Sequence, residues 1–393
     1  MDKLFNNKYF KIIAPIIVVA TVAIAIFVSL PQGDDTNVGY DYDESVLGAD
    51  DPGYEHAPED LGPVPTPIPE PTPEPEYEPD DPEIYNPLTG VLTHEDISRN
   101  RPVAIMLSNV PEALPMNGIS QADIVFEVLV EGGLTRMLAI FQDFSRLETI
   151  GSIRSSRHYY VELVTAFDAI YLHAGGSPLS YTMIRNLGVD NADEVRGIHP
   201  QVFTRERDRV PGRRFQTLHA VITSGERMRT YFPQADFRLE HNEDFEHIQR
   251  FTNNPIPSGG EQAREVIVRF SGSKSSHFAF DEASNVYYMS QFNRDFIDAN
   301  NNEVVSFTNL IILRTRVRTL TGPDGGAGRQ DIDTTGTGEG YFVSNGRMVE
   351  IYWSRPDANS PFEYTLRDGT PLELGRGRVY VGMVPLNANI TFN

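Results

Sequence analysis

Between Val64 and Pro75 every second residue is proline. Such a run has too few N–H groups for a sheet ladder, and each ring fixes φ, so it favours extended polyproline II. It sits inside residues 31–84, which carry 17 acidic residues and no lysine or arginine. Like charges stretch such a segment further. A chain built this way can form its core only beyond the run, from about Tyr85. That leaves roughly 300 residues, enough for one large or two ordinary domains. At ~3.1 Å per residue, the stretch could hold that core up to ~150 Å from whatever precedes it.

What precedes it is Ile12 to Leu30, 19 residues without a charge. That is the length needed to cross a bilayer as a helix. Lys3, Lys8 and Lys11 lie before the run and acidic residues follow it. The bias places the N-terminus in the cytoplasm and the remainder outside. A cleaved signal peptide is the competing reading. The run is long for one, and Phe27-Val28-Ser29-Leu30-Pro31 is a poor small-x-small site. The expectation is therefore a single-pass signal anchor at 1–30, a disordered linker at 31–84 and an extracytoplasmic folded part on the cell membrane.

The net charge of −22 belongs mainly to the linker. Residues 1–30 carry +2 and residues 31–84 carry −17, leaving −7 for the rest. No basic stripe of the kind nucleic acid requires is present. The chain has no cysteine. That excludes a disulfide, a thiolate nucleophile, a cysteine-ligated zinc or iron–sulfur site, and a lipid-modified N-terminal cysteine.

Beyond Tyr85, Arg101–Leu107 reads as a buried strand. Asp123–Val130 and Thr135–Gln142 read as a hairpin across Glu131-Gly132-Gly133-Leu134. Tyr160, Leu163, Val164 and Phe167 have helical spacing within His158–Phe167, and Pro178–Leu187 has it too. Ala169–Leu172 is a short strand between them, and Thr223 or Ser224 could cap a helix running to Phe232. After about Gln262 the texture turns to strands, at Val266–Phe270, Phe278–Phe280, Val286–Met289, Leu310–Val317 and Met348–Trp353. Gly336–Gly340 reads as loop, and Ser344-Asn345-Gly346 and Asp368-Gly369 as turns. The fold class is α+β. An N-terminal mixed α/β domain at 85–255 precedes a β-rich C-terminal domain at 256–393, with a soft boundary in Asn253–Gly260.

Polar residues converge between Asp123 and Ser177. Arg154, Arg157 and His173 stand near Gly175-Gly176-Ser177, where a strand feeds a turn and then a helix. Free N–H groups at such a turn favour anions, and guanidinium groups add paired donors for carboxylate or phosphate. Glu127 and Glu131 sit four apart on the hairpin and hence on the same side of that strand, with Arg136 or Arg154 available as a partner. The plainer readings are a structural turn around a buried histidine, solvated arginines, and carboxylates paired to those arginines. The candidate ligand-binding set is Glu127, Glu131, Arg136, Arg154, Arg157, His173, Gly175, Gly176 and Ser177; no catalytic residue is assigned.

Ser271-Gly272-Ser273-Lys274 matches S-x-x-K, but it follows a strand, reads as a turn and lacks a Lys-Thr-Gly partner. His241 and His247 lie among Glu240, Glu243, Asp244 and Glu246, which read as a solvated acidic segment rather than a metal site. Neither a metal nor a cofactor is expected.

Asn86-Pro87-Leu88-Thr89-Gly90, Arg101 through Met106, Ser120 through Val125, Glu131-Gly132-Gly133 with Thr135-Arg136, Gly151 through Arg157, and His173 through Ser177 together resemble the YerB-like family of bacterial envelope proteins. Trp353-Ser354, Pro361-Phe362 and Asp368-Gly369 extend the resemblance more loosely. The family is described as a domain of unknown function in N- and C-terminal parts. It implies location and two-part architecture and carries no reaction. Its members are often lipoproteins; this chain departs in having no cysteine to acylate. It also departs at Leu218-His219-Ala220, where similar proteins tend to show Pro-His-Asn.

The leading expectation is a membrane-anchored envelope protein that binds a cell-wall component or an envelope protein partner at the Arg/His/Gly-Gly-Ser site. The alternative is a cell-envelope glycan hydrolase or transferase using Glu127 or Glu131 with His173 as proton carrier. A third reading, a scaffold, expects Arg154 and His173 to be buried and paired internally.

Overall fold

The computed structural model describes residues 83–256, 260–326 and 328–393. The expected anchor at 1–30 and the linker up to residue 82 lie outside them, as does part of the expected boundary segment. Among the described residues no helix is long and apolar enough to cross a membrane.

In the first half the strands that bear on the site are β1 Val103–Asn109, β2 Ile124–Leu129, β3 Thr135–Phe141, β4 Ile170–His173 and β5 Asn191–Asp193. The helices are α1 His158–Thr165, α2 Pro178–Leu187 and α3 Gly225–Tyr231. In the second half the strands of the two main sheets include β6 Glu261–Gln262, β7 Glu265–Arg269, β8 Ser275–Asp281, β9 Val286–Gln291, β10 Asn309–Thr315, β11 Gly336–Ser344, β12 Arg347–Arg355, β13 Glu363–Leu366, β14 Val379–Pro385 and β15 Ile390–Phe392. The fold is mostly β with few helices.

A mixed sheet of eleven strands runs β6-β12-β11-β10-β14-β2-β3-β1-β4-β5, with β13 on β12. Every residue of β1, β2 and β3 is buried, so the middle of the sheet is covered on both faces. That is why these segments are near-continuous apolar runs rather than alternating ones. A second sheet is antiparallel and pairs β9, β8, β7 and β15 in that order. Its β7 and β8 alternate buried and exposed residues, the signature of one wet face.

β14 has no counterpart among the strands expected from sequence, yet it joins the two halves. It lies parallel to β2, from Ile124↔Val379 to Val128↔Met383, and parallel to β10 on its other edge. The division at 255/256 therefore follows chain order, while the central sheet takes strands from both sides of it.

Residues 336–340 are strand rather than the expected loop. Gly338 lies opposite Trp353, and a Cβ on it would come within 2.5 Å of the indole Nε1. The glycine makes room for the ring; it does not break the strand. Trp353 is 3% exposed, and it is the chain's single tryptophan. Gly338→Ala is expected to cost about 1–3 kcal/mol through overpacking. Urea unfolding followed by Trp353 fluorescence reads the shift directly; an unmoved midpoint would mean the indole has room to spare.

α1 is tied beneath the β2–β3 hairpin by its tyrosines. The Tyr159 hydroxyl donates to the Leu129 carbonyl at 2.6 Å, and the Tyr160 hydroxyl reaches the Val128 and Arg136 carbonyls at 2.9 and 2.7 Å. α2 begins at Pro178 with Ser177 as its cap, whose hydroxyl accepts from the Ser180 N–H at 3.2 Å. Ser224 caps α3 in the same way, through the Arg227 N–H.

Candidate functional site

The segment Gly151–Arg157 brings the arginines together. It is stitched to β1 by Ser108 N–H to Ser152 O and Arg154 N–H to Met106 O. It is stitched to the turn after β4 by Ala174 N–H to Arg154 O and Ser156 N–H to Gly175 O. So fixed, it sets Arg154 and Arg157 beside Arg136 of β3. Arg157 grips Glu131 with two parallel bonds, Nε to Oε1 at 2.7 Å and Nη2 to Oε2 at 2.8 Å. Arg136 donates from Nη1 to the Ser155 carbonyl at 2.7 Å. Arg154 is half-buried and donates to the Leu218 carbonyl at 3.2 Å. Arg329, from the far half of the chain, brings its Nε to 3.9 Å from Glu131.

Four guanidinium groups thus stand around one carboxylate, and the electrostatics register the excess. Burial would raise the Glu131 carboxyl, but the hydrogen bonds and charge of Arg157 outweigh it and hold it below the usual range. Burial, with Arg157 beside it, pushes Arg136 down to about 10. The same two causes lower Arg154.

The turn at His173–Ser177 lies just under this rim, and it differs from expectation in one respect. The N–H groups of Ala174, Gly175 and Ser177 are not free for a ligand. Gly175 N–H donates to the Asp193 carboxylate at 2.7 Å, and Ser177 N–H to the Ser156 carbonyl at 3.2 Å. Asp193 comes from β5 and also accepts from Tyr181 and from Val195 N–H. Gly175 has φ +81, which a side chain would strain, and a Cβ on Gly176 would meet the Ser180 hydroxyl at 2.5 Å. The pair of glycines therefore builds the turn. His173 is 0% exposed, with Nδ1 2.8 Å from the Gly175 carbonyl and Nε2 3.3 Å from Asn191. Burial lowers its pKa. A proton carrier needs access that this imidazole does not have.

Glu127 and Glu131 do not act as a pair across a cleft. The strand ends at Leu129, so alternation does not carry through to Glu131, which sits in the connecting turn. Glu127 is enclosed at 0% exposure. Its Oε1 accepts from Asn109 Nδ2 at 2.9 Å and the Thr135 hydroxyl at 2.6 Å, and lies 2.8 Å from Lys274 Nζ. Its Oε2 accepts from the Ser276 and Tyr380 hydroxyls at 2.7 and 2.8 Å. Thr135 reaches Glu127, so its neighbour Arg136 belongs to the opposite face of the sheet. The basic rim and Glu127 are on different sides.

Lys274, Asn109, Ser276, Tyr380 and Gln291 went unread as site residues in the sequence. One signal was available: a lone carboxylate inside Ile-Val-Phe-Glu-Val-Leu asks for a buried partner. Ser271–Lys274 is the turn between β7 and β8, as expected, but its lysine points inward to supply that partner. His241 is not solvated: it is buried, 3.0 Å from Asp168 and stacked on Phe245. Among the described residues no group of three or more side chains has the makings of a metal site.

A family model described as "Protein of unknown function (DUF3048) N-terminal domain" matches residues 88–238, and one described as the DUF3048 C-terminal domain matches residues 266–381. The chain is 27% identical over 303 residues to a Bacillus subtilis (strain 168) protein named "Putative lipoprotein YerB", covering 76% of this chain and 86% of that protein. The crystal structure of YerB protein from Bacillus subtilis matches with a TM-score of 0.67 at 27% identity, over 79% of this chain and all of that one.

Proposed function

The chain belongs to the YerB-like family of DUF3048 proteins, and from that membership we propose that it is a membrane-associated extracytoplasmic protein that binds an anionic component of the cell envelope. A relative named as a lipoprotein supports the membrane surface as its place. This chain, lacking a cysteine, would be held there by the apolar run Ile12–Leu30, with the acidic proline-rich stretch as its stalk. The ligand in this reading is a cell-wall polymer bearing phosphate or carboxylate groups, seated on Arg136, Arg154 and Arg157 with Glu131 as the internal counter-ion.

One observation carries the reading: four guanidiniums gather around a single carboxylate, Arg136 and Arg157 buried and Arg154 and Arg329 partly exposed. A rim neutralised from within would have little to offer an anion; this one retains unmatched positive charge in a low-dielectric setting where it counts for more. The glycan hydrolase reading finds no comparable support, because Glu127 and His173 are sealed.

The test is sedimentation of the full chain in detergent with purified cell walls. Arg154→Ala is the informative variant, since its side chain makes one 3.2 Å bond to a carbonyl and its loss spares the Arg157–Glu131 pair. Loss of one charged hydrogen bond, about 1.5–3 kcal/mol, should weaken binding by roughly 10- to 100-fold. Added salt should weaken it as well. Absence of binding by the unaltered protein would reject the wall polymer and turn attention to an envelope protein partner.

A further inference from the structure

We propose that Lys274 and Asn109 are partners in an intramolecular amide bond, formed by the protein on itself with Glu127 as the proton carrier. The site lies in the buried network between the central and second sheets, away from the basic rim. Asn109 ends β1, Lys274 is the last residue of the turn before β8, and Glu127 is on β2. One oxygen of Glu127 touches both reacting side chains. Its Oε1 is 2.8 Å from Lys274 Nζ and 2.9 Å from Asn109 Nδ2. The two nitrogens can be no farther apart than the sum of those contacts.

The surroundings suit the reaction. The side chains of Lys274 and Glu127 are 0% exposed, and Asn109 is 0% exposed. The Lys274 ammonium lies 5.7 and 5.2 Å from the ring centres of Phe270 and Phe292. Burial favours the neutral amine, which is the nucleophilic form. Gln291 Nε2 donates to Asn109 Oδ1 at 2.8 Å, so the carbonyl under attack is already polarised and its developing negative charge has a donor. Water, the competing nucleophile, is kept out. Gln291 also borders a cavity of about 390 Å³ lined by Ser273, Ser275 and His277, which offers the leaving group a way out.

The step balances without a co-reactant. The Nζ of neutral Lys274 attacks Cγ of Asn109, and the N–C bond forms. Glu127 takes a proton from Nζ and passes it to Nδ2. The Cγ–Nδ2 bond then breaks and Nδ2 departs as ammonia. An amine and a primary amide become a secondary amide and ammonia, with nothing oxidised or reduced. The product would bind the last residue of β1 to the residue just before β8, a covalent staple in a chain that has no cysteine from which to make one.

Intact mass spectrometry of the full chain under denaturing conditions decides the matter. The expected mass is lower than that of the sequence by one ammonia. A tryptic map should hold a branched peptide joining Asn109 to Lys274, with no cleavage after Lys274. Succinimide or pyroglutamate formation would also release ammonia but would give no branched peptide. Asn109→Asp should lose water instead of ammonia, and Glu127→Gln should stay at its full sequence mass while retaining its circular dichroism spectrum. A wild-type chain at full mass, cleaved by trypsin after Lys274, would overturn the proposal and leave a buried ion pair. A branched peptide that persists in Glu127→Gln would overturn the role of Glu127.

Discussion

Lys274→Met is expected to destabilise the folded protein by about 3–5 kcal/mol, the cost of stranding one partner of a buried ion pair. Without Lys274, Glu127 must either hold an unpaired charge at 0% exposure or take up a proton. Its neighbours cannot move away to let water in, because the network is closed. Asn109 is also held by Gln291, Ser276 lies in β8, and Tyr380 belongs to the β14 strand against β2. The readout is the urea transition of Trp353 fluorescence at pH 7. Glu127→Gln combined with Lys274→Met removes both charges and keeps an amide whose oxygen accepts from Ser276 and Tyr380 while its NH2 can donate to the Thr135 hydroxyl. If the pair is only electrostatic, this double variant should recover most of the loss. If an amide bond links Lys274 to Asn109, both variants also forgo a cross-link over a long loop, worth about 5 kcal/mol by loop entropy, and the deficit should remain. A Lys274→Met midpoint equal to wild type would mean that the four hydrogen bonds to Glu127 suffice alone.

The contrast between the rim and this network shows what local sequence conveys. β1 to β3, α1 and α2 announce themselves through periodicity and apolar runs, and α2 begins and ends where its spacing says, Pro178 to Leu187. The arginines of the rim are legible because the motifs that carry them, Thr135-Arg136 and Gly151–Arg157, lie close in sequence. β14 is not legible in the same way. Its run Val379–Val384 is apolar, but it earns a central place only by pairing in parallel with β2 and β10, contacts made across most of the chain. Lys274 shares the problem. In sequence it is a serine-rich turn; its meaning depends on Glu127, which the central sheet delivers from the other half. The same holds for the turn after β4: the Gly175 N–H looks free until Asp193 arrives from β5.

Acid titration should separate two buried groups that act in opposite senses within one pH window. Asp123 accepts from Gln142 N–H at 2.6 Å and Asn86 Nδ2 at 2.9 Å. Burial outweighs these bonds and the nearby Arg378, raising its carboxyl to about 6. A raised carboxyl binds its proton more tightly in the folded state. Its stabilisation is complete below the unfolded value, about 4, and is lost as pH climbs to 6. His219 is 5% exposed, and burial, with Arg154 beside it, lowers it to about 4. A lowered imidazole prefers to be neutral when folded, so its stabilisation is complete above the unfolded value, about 6.5, and is lost as pH falls to 4. Each shift corresponds to about 2–3 kcal/mol. In the wild type the two oppose each other, on top of the acid-side losses from His173 and His247, which burial also lowers. Relative to wild type, Asp123→Asn should therefore gain about 2–3 kcal/mol between pH 4 and 6, and His219→Gln should lose a similar amount over the same interval. Urea midpoints at half-unit steps of pH supply both differences. Parallel curves for Asp123→Asn and wild type would place the carboxyl in contact with water after all; parallel curves for His219→Gln would do the same for the imidazole beside the arginine rim.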